Sequence, residues 1–277
     1  MTLSATSTRF IDTLRAAQEA NRSLLCVGLD PDPARFPEVV GKSPESIVAF
    51  NRAIIEATAD LACCYKPNLG FYLSYGALGV EALAQVRRDV PANIPVLLDA
   101  KFGDLDMTSA GYARAAFETW NFDALTVNPY LGHDALLPFL SYQDRGIFIL
   151  AKTSNPGSGL LQDRRLDDDT TVSMAVVIHA NQWNTAGNVG LVVGATYPSQ
   201  MAEIRAAAPN LPFLVPGVGA QGGDLEAAVQ AGIDANGAGI IVNTSRAISY
   251  ASSGPDFQDA ARTAAQALRD QIEAARA

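Results

Sequence analysis

The chain has 277 residues, a formal net charge of -9, 48% hydrophobic residues and 18% charged residues. The apolar share is too high for a disordered chain, and the sequence holds no run of about 18 apolar residues that would cross a bilayer. With 29 acidic against 20 basic residues, the overall field disfavours nucleic acid and anionic membrane surfaces as partners. An anionic small ligand would therefore need positive groups concentrated at one place.

The three cysteines, Cys26, Cys63 and Cys64, are too few for a disulfide framework, and two of them are neighbours on one predicted strand. The N-terminus lacks the apolar stretch of a secretory signal. Both observations favour reduced thiols in a cytoplasmic protein.

Short apolar runs alternate with amphipathic stretches of helical length along the chain. In chain order the predicted strands are 24–29, 62–65, 96–98, 124–127, 146–150, 189–193, 213–215 and 240–242. Helices are predicted over 47–61, 224–230 and 257–277, and the longest irregular connection is 155–171. About eight strands alternating with helices favour an α/β fold of the (β/α)8 TIM-barrel type over an open sheet. Because no linker or composition break divides the chain, we predict a single barrel domain over 1–277, with a helix before strand one.

Active sites of such barrels lie at the C-terminal ends of the strands. The densest polar cluster there is LLDAKFGD, which contains Asp99, Lys101 and Asp104, while Lys66 ends the neighbouring strand. Strand alternation predicts that Asp99 and Lys101 share one face, so that lysines and aspartates alternate at the barrel mouth. A structural salt-bridge network is the alternative interpretation, but burying ion pairs for stability alone is costly.

A second cluster follows strands seven and eight, where barrels of this type commonly hold phosphate. The glycine-rich segment VPGVGAQGGD allows backbone amides to approach a ligand, and Arg246 offers a bidentate contact after strand eight. A tight turn is the alternative interpretation of the glycines alone. The two segments together favour a phosphate site, with 216–224 as the candidate lid.

Other conspicuous residues are predicted to be structural. His133 and His179 are the only histidines, and neither has carboxylate or cysteine companions at ligand spacing. Cys63 and Cys64 have no second pair with which to form a metal site. We therefore predict no metal centre.

The motifs of the chain resemble those of the orotidine 5′-phosphate decarboxylase family, in its longer bacterial subfamily. LCVGLDPDP, YKPNLGFY, LLDAKFGDLDMT, TVNPYLGHD, AKTSNPGS, VPGVGAQGGD and IIVNTSRAI follow one another in family order over nearly the whole chain. The resemblance implies a cofactor-free decarboxylation of orotidine 5′-phosphate to uridine 5′-phosphate, the last step of pyrimidine nucleotide synthesis.

The resemblance also assigns roles to residues. Lys101 would donate a proton to C6 of the pyrimidine and Asp99 would face the departing carboxylate, with Lys66 and Asp104 completing the charged array. The remaining substrate-binding residues would be Asp30 and Thr108 at the ribose, Ser154 and Pro216 at the pyrimidine, and Gln221 and Arg246 at the phosphate.

The family pattern further implies a homodimer in which Asp104 and Thr108 reach the partner's site. Two residues depart from the pattern, because Phe102 stands where the longer subfamily often has a basic residue and Asp106 adds a carboxylate. Both bear on the dimer contacts and on the surroundings of the charged array.

Two alternatives remain open from the sequence. A metal-dependent sugar-phosphate decarboxylase or aldolase of the same superfamily usually carries a glutamate near the end of strand two, where this chain has Lys66, and a cation there repels a divalent metal. A non-catalytic nucleotide-binding barrel would have no need of the complete set of charged residues.

Overall fold

Eight parallel strands enclose a central barrel in the computed structural model, which describes residues 9–218 and 223–276. In chain order the strands are β1 Leu25–Leu29, β2 Cys64–Pro67, β3 Leu97–Phe102, β4 Ala124–Val127, β5 Gly146–Lys152, β6 Val189–Val193, β7 Phe213–Val215 and β8 Ile240–Thr244. The hydrogen-bonded order is β2-β1-β8-β7-β6-β5-β4-β3. Parallel bridges from Tyr65 to Val96 and from Asn68 to Asp99 join β2 to β3 and complete the ring. The prediction of a (β/α)8 barrel is confirmed.

Helices surround the strands within the described residues. In chain order they are α1 Phe10–Asn21, α2 Ile47–Thr58, α3 Leu69–Leu73, α4 Gly76–Asp89, α5 Asp106–Arg114, α6 His133–Leu140, α7 Gly159–Gln162, α8 Val172–Trp183, α9 Pro198–Ala207, α10 Leu225–Gly232, α11 Arg246–Ser249 and α12 Phe257–Ala275. None of them is long and apolar enough to span a membrane.

Alternation along the strands divides the core into two layers. In β1, Leu25, Val27 and Leu29 belong to the large cluster between strands and helices, whereas Cys26 belongs to a smaller cluster inside the barrel. The other strands follow the same period of two, so each strand is apolar on both faces. This explains why the strands appear in the sequence as continuous apolar runs.

The helix α1 covers the N-terminal end of the barrel. Its Phe10 packs edge-on against Phe148 with ring centroids 5.7 Å apart. A Cβ atom added to Gly146 would lie 2.5 Å from the Phe10 ring, so this close packing depends on glycine at the start of β5. The opposite, C-terminal end of the barrel is left for the ligand.

The structure differs from the sequence-based boundaries where strands enter the mouth. β3 continues four residues past the predicted end at 98, to Phe102, and β5 continues to Lys152. Asp99 and Lys101 of β3 face a cavity and Lys152 of β5 is a buried charge, so the apolar pattern stops before the ladder does. The connection 155–171 was expected to be irregular, yet it contains the 3-10 turn Pro156–Ser158, the helix α7 and a bridge between Arg165 and Thr171.

Candidate active site

A cavity of about 750 Å³ opens at the C-terminal ends of the strands. Of the ten residues predicted from the sequence to form the site, seven line this cavity: Asp30, Lys66, Asp99, Lys101, Ser154, Pro216 and Arg246. Asp104 and Thr108 are not part of its wall, and Gln221 lies outside the described residues. Strand ends far apart in the sequence thus supply one common pocket.

Two ammonium groups converge on the Asp99 carboxylate. Lys66 Nζ lies 3.2 Å from Oδ2, and Lys101 Nζ lies 2.5 Å from Oδ1. The Lys66 side chain is only 3% exposed and that of Asp99 11%, whereas Lys101 is 44% exposed and reaches the open cavity. The array therefore consists of a buried ion pair, Lys66 and Asp99, and one exposed ammonium, that of Lys101.

Two further residues, which the sequence did not single out, hold the same carboxylate. Asn68 Nδ2 donates to Asp99 Oδ2 at 3.1 Å, and Thr126 Oγ1 donates to Asp99 Oδ1 at 3.0 Å. The sequence does carry a signal for both. Thr126 is the only polar residue of the apolar strand β4, and Asn68 lies two residues beyond Lys66, on the same face of an extended chain.

The backbone of Lys101 departs from regular strand geometry. Its φ is +53°, and the pairing register of β3 with β4 shifts between Leu98 and Phe102. Thr126 Oγ1 accepts a hydrogen bond from the Lys101 amide at 2.9 Å, which stabilises this conformation. Asp99 and Lys101 do meet at the mouth, but an irregular strand end brings them together rather than the simple alternation expected from the sequence.

Electrostatics within the array keep both buried groups charged. Burial by itself lowers the pKa of Lys66, but the carboxylates of Asp99 and Asp30 outweigh it, so the pKa is raised above its usual range. Burial likewise raises the pKa of Asp99, but the attraction of Lys66 and Lys101 prevails and the pKa falls well below its usual range. A charged Asp99 fixes the position of the accessible Lys101 ammonium.

Asp30 occupies the neighbouring corner of the cavity, at the end of β1. Its carboxylate accepts hydrogen bonds from the backbone amide of Asn68 at 3.2 Å and from the Ser245 hydroxyl. A Cβ atom on Gly28 would overlap the Ser245 side chain, so glycine is required for β1 and the β8 loop to approach so closely. The Asp30 side chain is thus held in place before any ligand binds.

The side of the cavity formed by β5, β6 and β7 is largely apolar. Leu150, Val192 and Leu214 line it together with Pro216 and Ser154. A flat, weakly polar ring fits such a surface, with Ser154 available at its edge.

Arg246, the first residue of α11, adds a positive charge to the cavity wall. Within residues 9–218 and 223–276 its guanidinium forms no ion pair, so it is available to an anion. The cavity wall also includes Gly217 and Val218, the described start of the predicted lid 216–224. Residues 219–222 of that lid, including Gln221, belong to the part of the chain that is not described.

Asp104 and Thr108 lie beyond β3, outside the cavity. The Asp104 carboxylate accepts a hydrogen bond from the Leu105 amide at 2.7 Å, and its backbone oxygen accepts one from the Ser109 hydroxyl at 2.6 Å. Thr108 is exposed on α5. Within one chain the charged array is therefore Lys66, Asp99 and Lys101.

The two residues that depart from the family pattern have local structural roles. Phe102 stacks on Tyr112 of α5, with ring centroids 4.3 Å apart. Asp106 begins α5 and has a φ of +27°.

The two histidines, far apart in the sequence, lie against one side chain. His133 and His179 each stack on Trp183, with ring centroids 5.0 and 5.6 Å away. Among the residues that the structure describes, no group of three or more His, Cys, Asp or Glu side chains is arranged to hold a metal ion. The three cysteines are buried and free.

The fold and the cavity at the C-terminal ends of its strands indicate a class of protein. A buried carboxylate between two ammonium groups, an apolar wall and the Arg246 guanidinium are together typical of a (β/α)8-barrel enzyme that acts on a small anionic molecule.

Comparison with known proteins identifies the family within this class. The profile of the orotidine 5′-phosphate decarboxylase / HUMPS family matches residues 23–263. Orotidine 5′-phosphate decarboxylase of Thermomicrobium roseum is 55% identical over 266 residues, covering 95% of each chain. The enzyme of the same name from Roseiflexus castenholzii is 53% identical, over 96% of this chain and 98% of its own. The solved structure of Leishmania donovani OMP decarboxylase has a TM-score of 0.86 and 44% identity, covering 97% of this chain and 99% of its own.

The chain therefore belongs to the orotidine 5′-phosphate decarboxylase family and is an enzyme of that family. The resemblance inferred from its motifs is confirmed.

Proposed function

We propose that the enzyme converts orotidine 5′-phosphate to uridine 5′-phosphate and CO2, as the last step of pyrimidine nucleotide synthesis. The observation that carries the proposal is the buried Asp99 carboxylate between Lys66 and Lys101, in a cavity that an apolar wall and Arg246 also line. Family membership and the names of the relatives support the same substrate.

In the proposed reaction, negative charge develops at C6 of the pyrimidine, where the Lys101 ammonium supplies the opposite charge. The bond from C6 to the carboxylate carbon breaks, its electron pair stays on C6, and CO2 leaves. The Lys101 ammonium stabilises the carbanion and then transfers a proton to C6, and the lysine regains its proton from water. Because this charge develops only as the bond breaks, the interaction favours the transition state over the bound substrate.

Asp99 and Lys66 serve Lys101 in this proposal. Asp99 holds the ammonium at 2.5 Å and faces the departing carboxylate, and the buried Lys66 keeps Asp99 ionised. The reaction needs no cofactor and no metal, because the lysine itself neutralises the carbanion.

The remaining contacts follow the shape of the substrate. Arg246 and Gln221 bind the phosphate, Asp30 and Thr108 the ribose, and Ser154 and Pro216 the pyrimidine. Ser154, after β5, and Arg246, after β8, both line the cavity from different strand ends, which supports this orientation. Phosphate binding at a distance from C6 supplies energy to close the lid 216–224 and exclude water.

We further propose a homodimer in which Asp104 and Thr108 complete the partner's site. Neither residue reaches the cavity of its own chain. Beside them, Leu105 is 58% and Met107 82% exposed, an apolar surface suited to burial by a second copy. A cytoplasmic location is proposed from the three free, buried thiols.

The loss of orotidine 5′-phosphate absorbance with purified protein, measured with and without EDTA, tests the function. We expect full turnover in EDTA, with one uridine 5′-phosphate formed per substrate consumed. Activity that disappears in EDTA and returns with Mg²⁺ would favour the metal-dependent relatives. Binding of uridine 5′-phosphate without turnover would favour a non-catalytic barrel.

A further inference from the structure

A second lysine–aspartate ion pair, in which only the ammonium is buried, lies close to the cavity but outside its wall. Lys152, the last residue of β5, is 1% exposed. Its Nζ lies 2.7 and 2.8 Å from the two carboxylate oxygens of Asp163. The proposed reaction makes no use of this ammonium. Because burying a lysine is costly, the pair requires another explanation.

Asp163 is held from a neighbouring element as well. Gln200 of α9 donates to Asp163 Oδ1 at 3.0 Å, and the Lys152 ammonium lies 4.5 Å from the centre of the Tyr197 ring. The hydrogen bonds from Lys152 hold the pKa of Asp163 below its usual range, so the carboxylate is charged at neutral pH. Asp163 thus connects the end of β5 with the start of α9.

The pair anchors the segment that carries Ser154. Gln162, next to Asp163, accepts a hydrogen bond from the Thr153 amide and donates one to the Thr153 hydroxyl, both at 2.9 Å. On the other side, Thr196 donates to the Ser154 backbone oxygen at 3.2 Å. Hydrogen bonds therefore hold the residue before Ser154 and the backbone oxygen of Ser154 itself.

The backbone beneath Ser154 is packed without spare room. A Cβ atom on Gly194 would lie 2.7 Å from the Ser154 amide nitrogen and Cα. A shift of the segment towards Gly194, the residue after β6, would therefore cause a steric clash. The hydrogen bonds and this close packing together hold Ser154 in one position on the cavity wall.

We propose that Lys152, Asp163 and Gln162, which we call the anchor, are positioning residues that hold Ser154 ready for the pyrimidine of the substrate. This inference rests on the proposed function, which places the pyrimidine at Ser154. Without the anchor, the substrate would have to order the segment on binding, and affinity for the ring would fall while affinity for the phosphate end would not.

The test compares the dissociation constants of uridine 5′-phosphate and ribose 5-phosphate by calorimetry. For Asp163→Asn, which keeps the shape and removes the charge, we expect about a tenfold loss for the nucleotide and none for the sugar phosphate. Gln162→Leu leaves no buried charge unpaired, so it should fold even if Asp163→Asn does not, and the same pattern is expected.

A double-mutant cycle separates positioning from general destabilisation. Ser154→Ala should weaken nucleotide binding, and adding Gln162→Leu should cause little further loss if the anchor acts through Ser154. The matched control is Asp60→Asn, which breaks the bidentate pair between Asp60, just after α2, and Arg262 of α12. This variant should leave both affinities unchanged.

Three results would overturn the inference: equal losses for both ligands, no loss in either anchor variant, or fully additive effects with Ser154→Ala. Failure of the proposed function is recognised separately. In that case the wild-type protein itself binds uridine 5′-phosphate no better than ribose 5-phosphate and does not consume orotidine 5′-phosphate.

Discussion

Asp99 receives four donors from three strand ends, and each donor has a distinct role. Lys66 is buried and keeps the carboxylate ionised, Asn68 and Thr126 fix its orientation, and Lys101 is the one exposed donor of the four. At the residue scale, Asp99 is therefore a firmly held carboxylate that fixes the position of one exposed cation, the Lys101 ammonium. Electrostatic preorganisation requires such an arrangement.

Arg246 should determine affinity for the phosphate end of the substrate. We expect Arg246→Ala to lower kcat/KM for orotidine 5′-phosphate by about a hundredfold, because a charge-assisted contact to the phosphate is lost. Steady-state kinetics measure the effect, and orotidine, which lacks the phosphate, is the control substrate.

With orotidine, the variant and the wild type should have the same low kcat/KM. An unchanged value for Arg246→Ala with the phosphorylated substrate would exclude the contact.

The sequence predicted the charged residues of the site but not the residues that orient them. Lys66, Asp99 and Lys101 stand out because charges at apolar strand ends are rare. Asn68 and Thr126 are ordinary polar residues, whose importance depends on which neighbour they meet across β2, β3 and β4. The left-handed backbone of Lys101 could not be foreseen, because residue type alone does not indicate a register shift.

At the scale of elements, the two ends of the barrel have different tasks. The N-terminal ends of β7 and β8 are tied together by Arg205 of α9, which is 9% exposed and lies 3.6 Å from the centre of the Phe213 ring. Its guanidinium donates to the backbone oxygens of Ala208, Leu211, Gly232 and Gly239. This contact stabilises the fold far from the cavity.

Arg205→Met should reduce stability and leave catalysis intact. Four carbonyl oxygens would lose their charged donor, and we expect the free energy of unfolding to fall by about 3 kcal/mol. Denaturant titration measures the loss, while kcat should stay within twofold of the wild type. The control is Arg262→Met, whose ion pair with Asp60 is exposed and contributes less than about 1 kcal/mol.

A loss below about 1 kcal/mol in Arg205→Met, or a large drop in kcat, would contradict this division of the barrel.

The eight strands and the fold class followed from the alternation of apolar runs and amphipathic stretches, which is strong in a parallel barrel. The segment 155–171 was misjudged as irregular. Its order comes from contacts of Asp163 and Gln162 with residues at the ends of β5 and β6, and such contacts leave no periodic pattern in the sequence.

At the scale of the whole molecule, a net charge of -9 coexists with a site that carries Lys66, Lys101 and Arg246. The acidic surface disfavours polyanions, while the recessed cations attract one small anion. In the proposed homodimer, Asp104 and Thr108, which lie outside the cavity of their own chain, complete the site of the partner.

Subunit exchange tests the shared site. Lys101→Ala and Asp104→Asn homodimers should each be nearly inactive, but a mixed dimer contains one site in which both residues are intact. Random exchange makes half of the dimers mixed, so activity should recover to about a quarter of the wild-type value. Exchange is verified with two differently tagged chains.

No recovery, with exchange verified, would place Asp104 outside the partner's site.

The most direct test of the account is turnover of orotidine 5′-phosphate by metal-stripped wild-type protein and by Lys101→Ala. We expect full activity of the metal-stripped wild type. For Lys101→Ala we expect a kcat that is lower by about a thousandfold or more. The variant should keep its fold and its affinity for ribose 5-phosphate. A Lys101→Ala enzyme with kcat within about tenfold of the wild type would contradict the role of Lys101 as the proton donor.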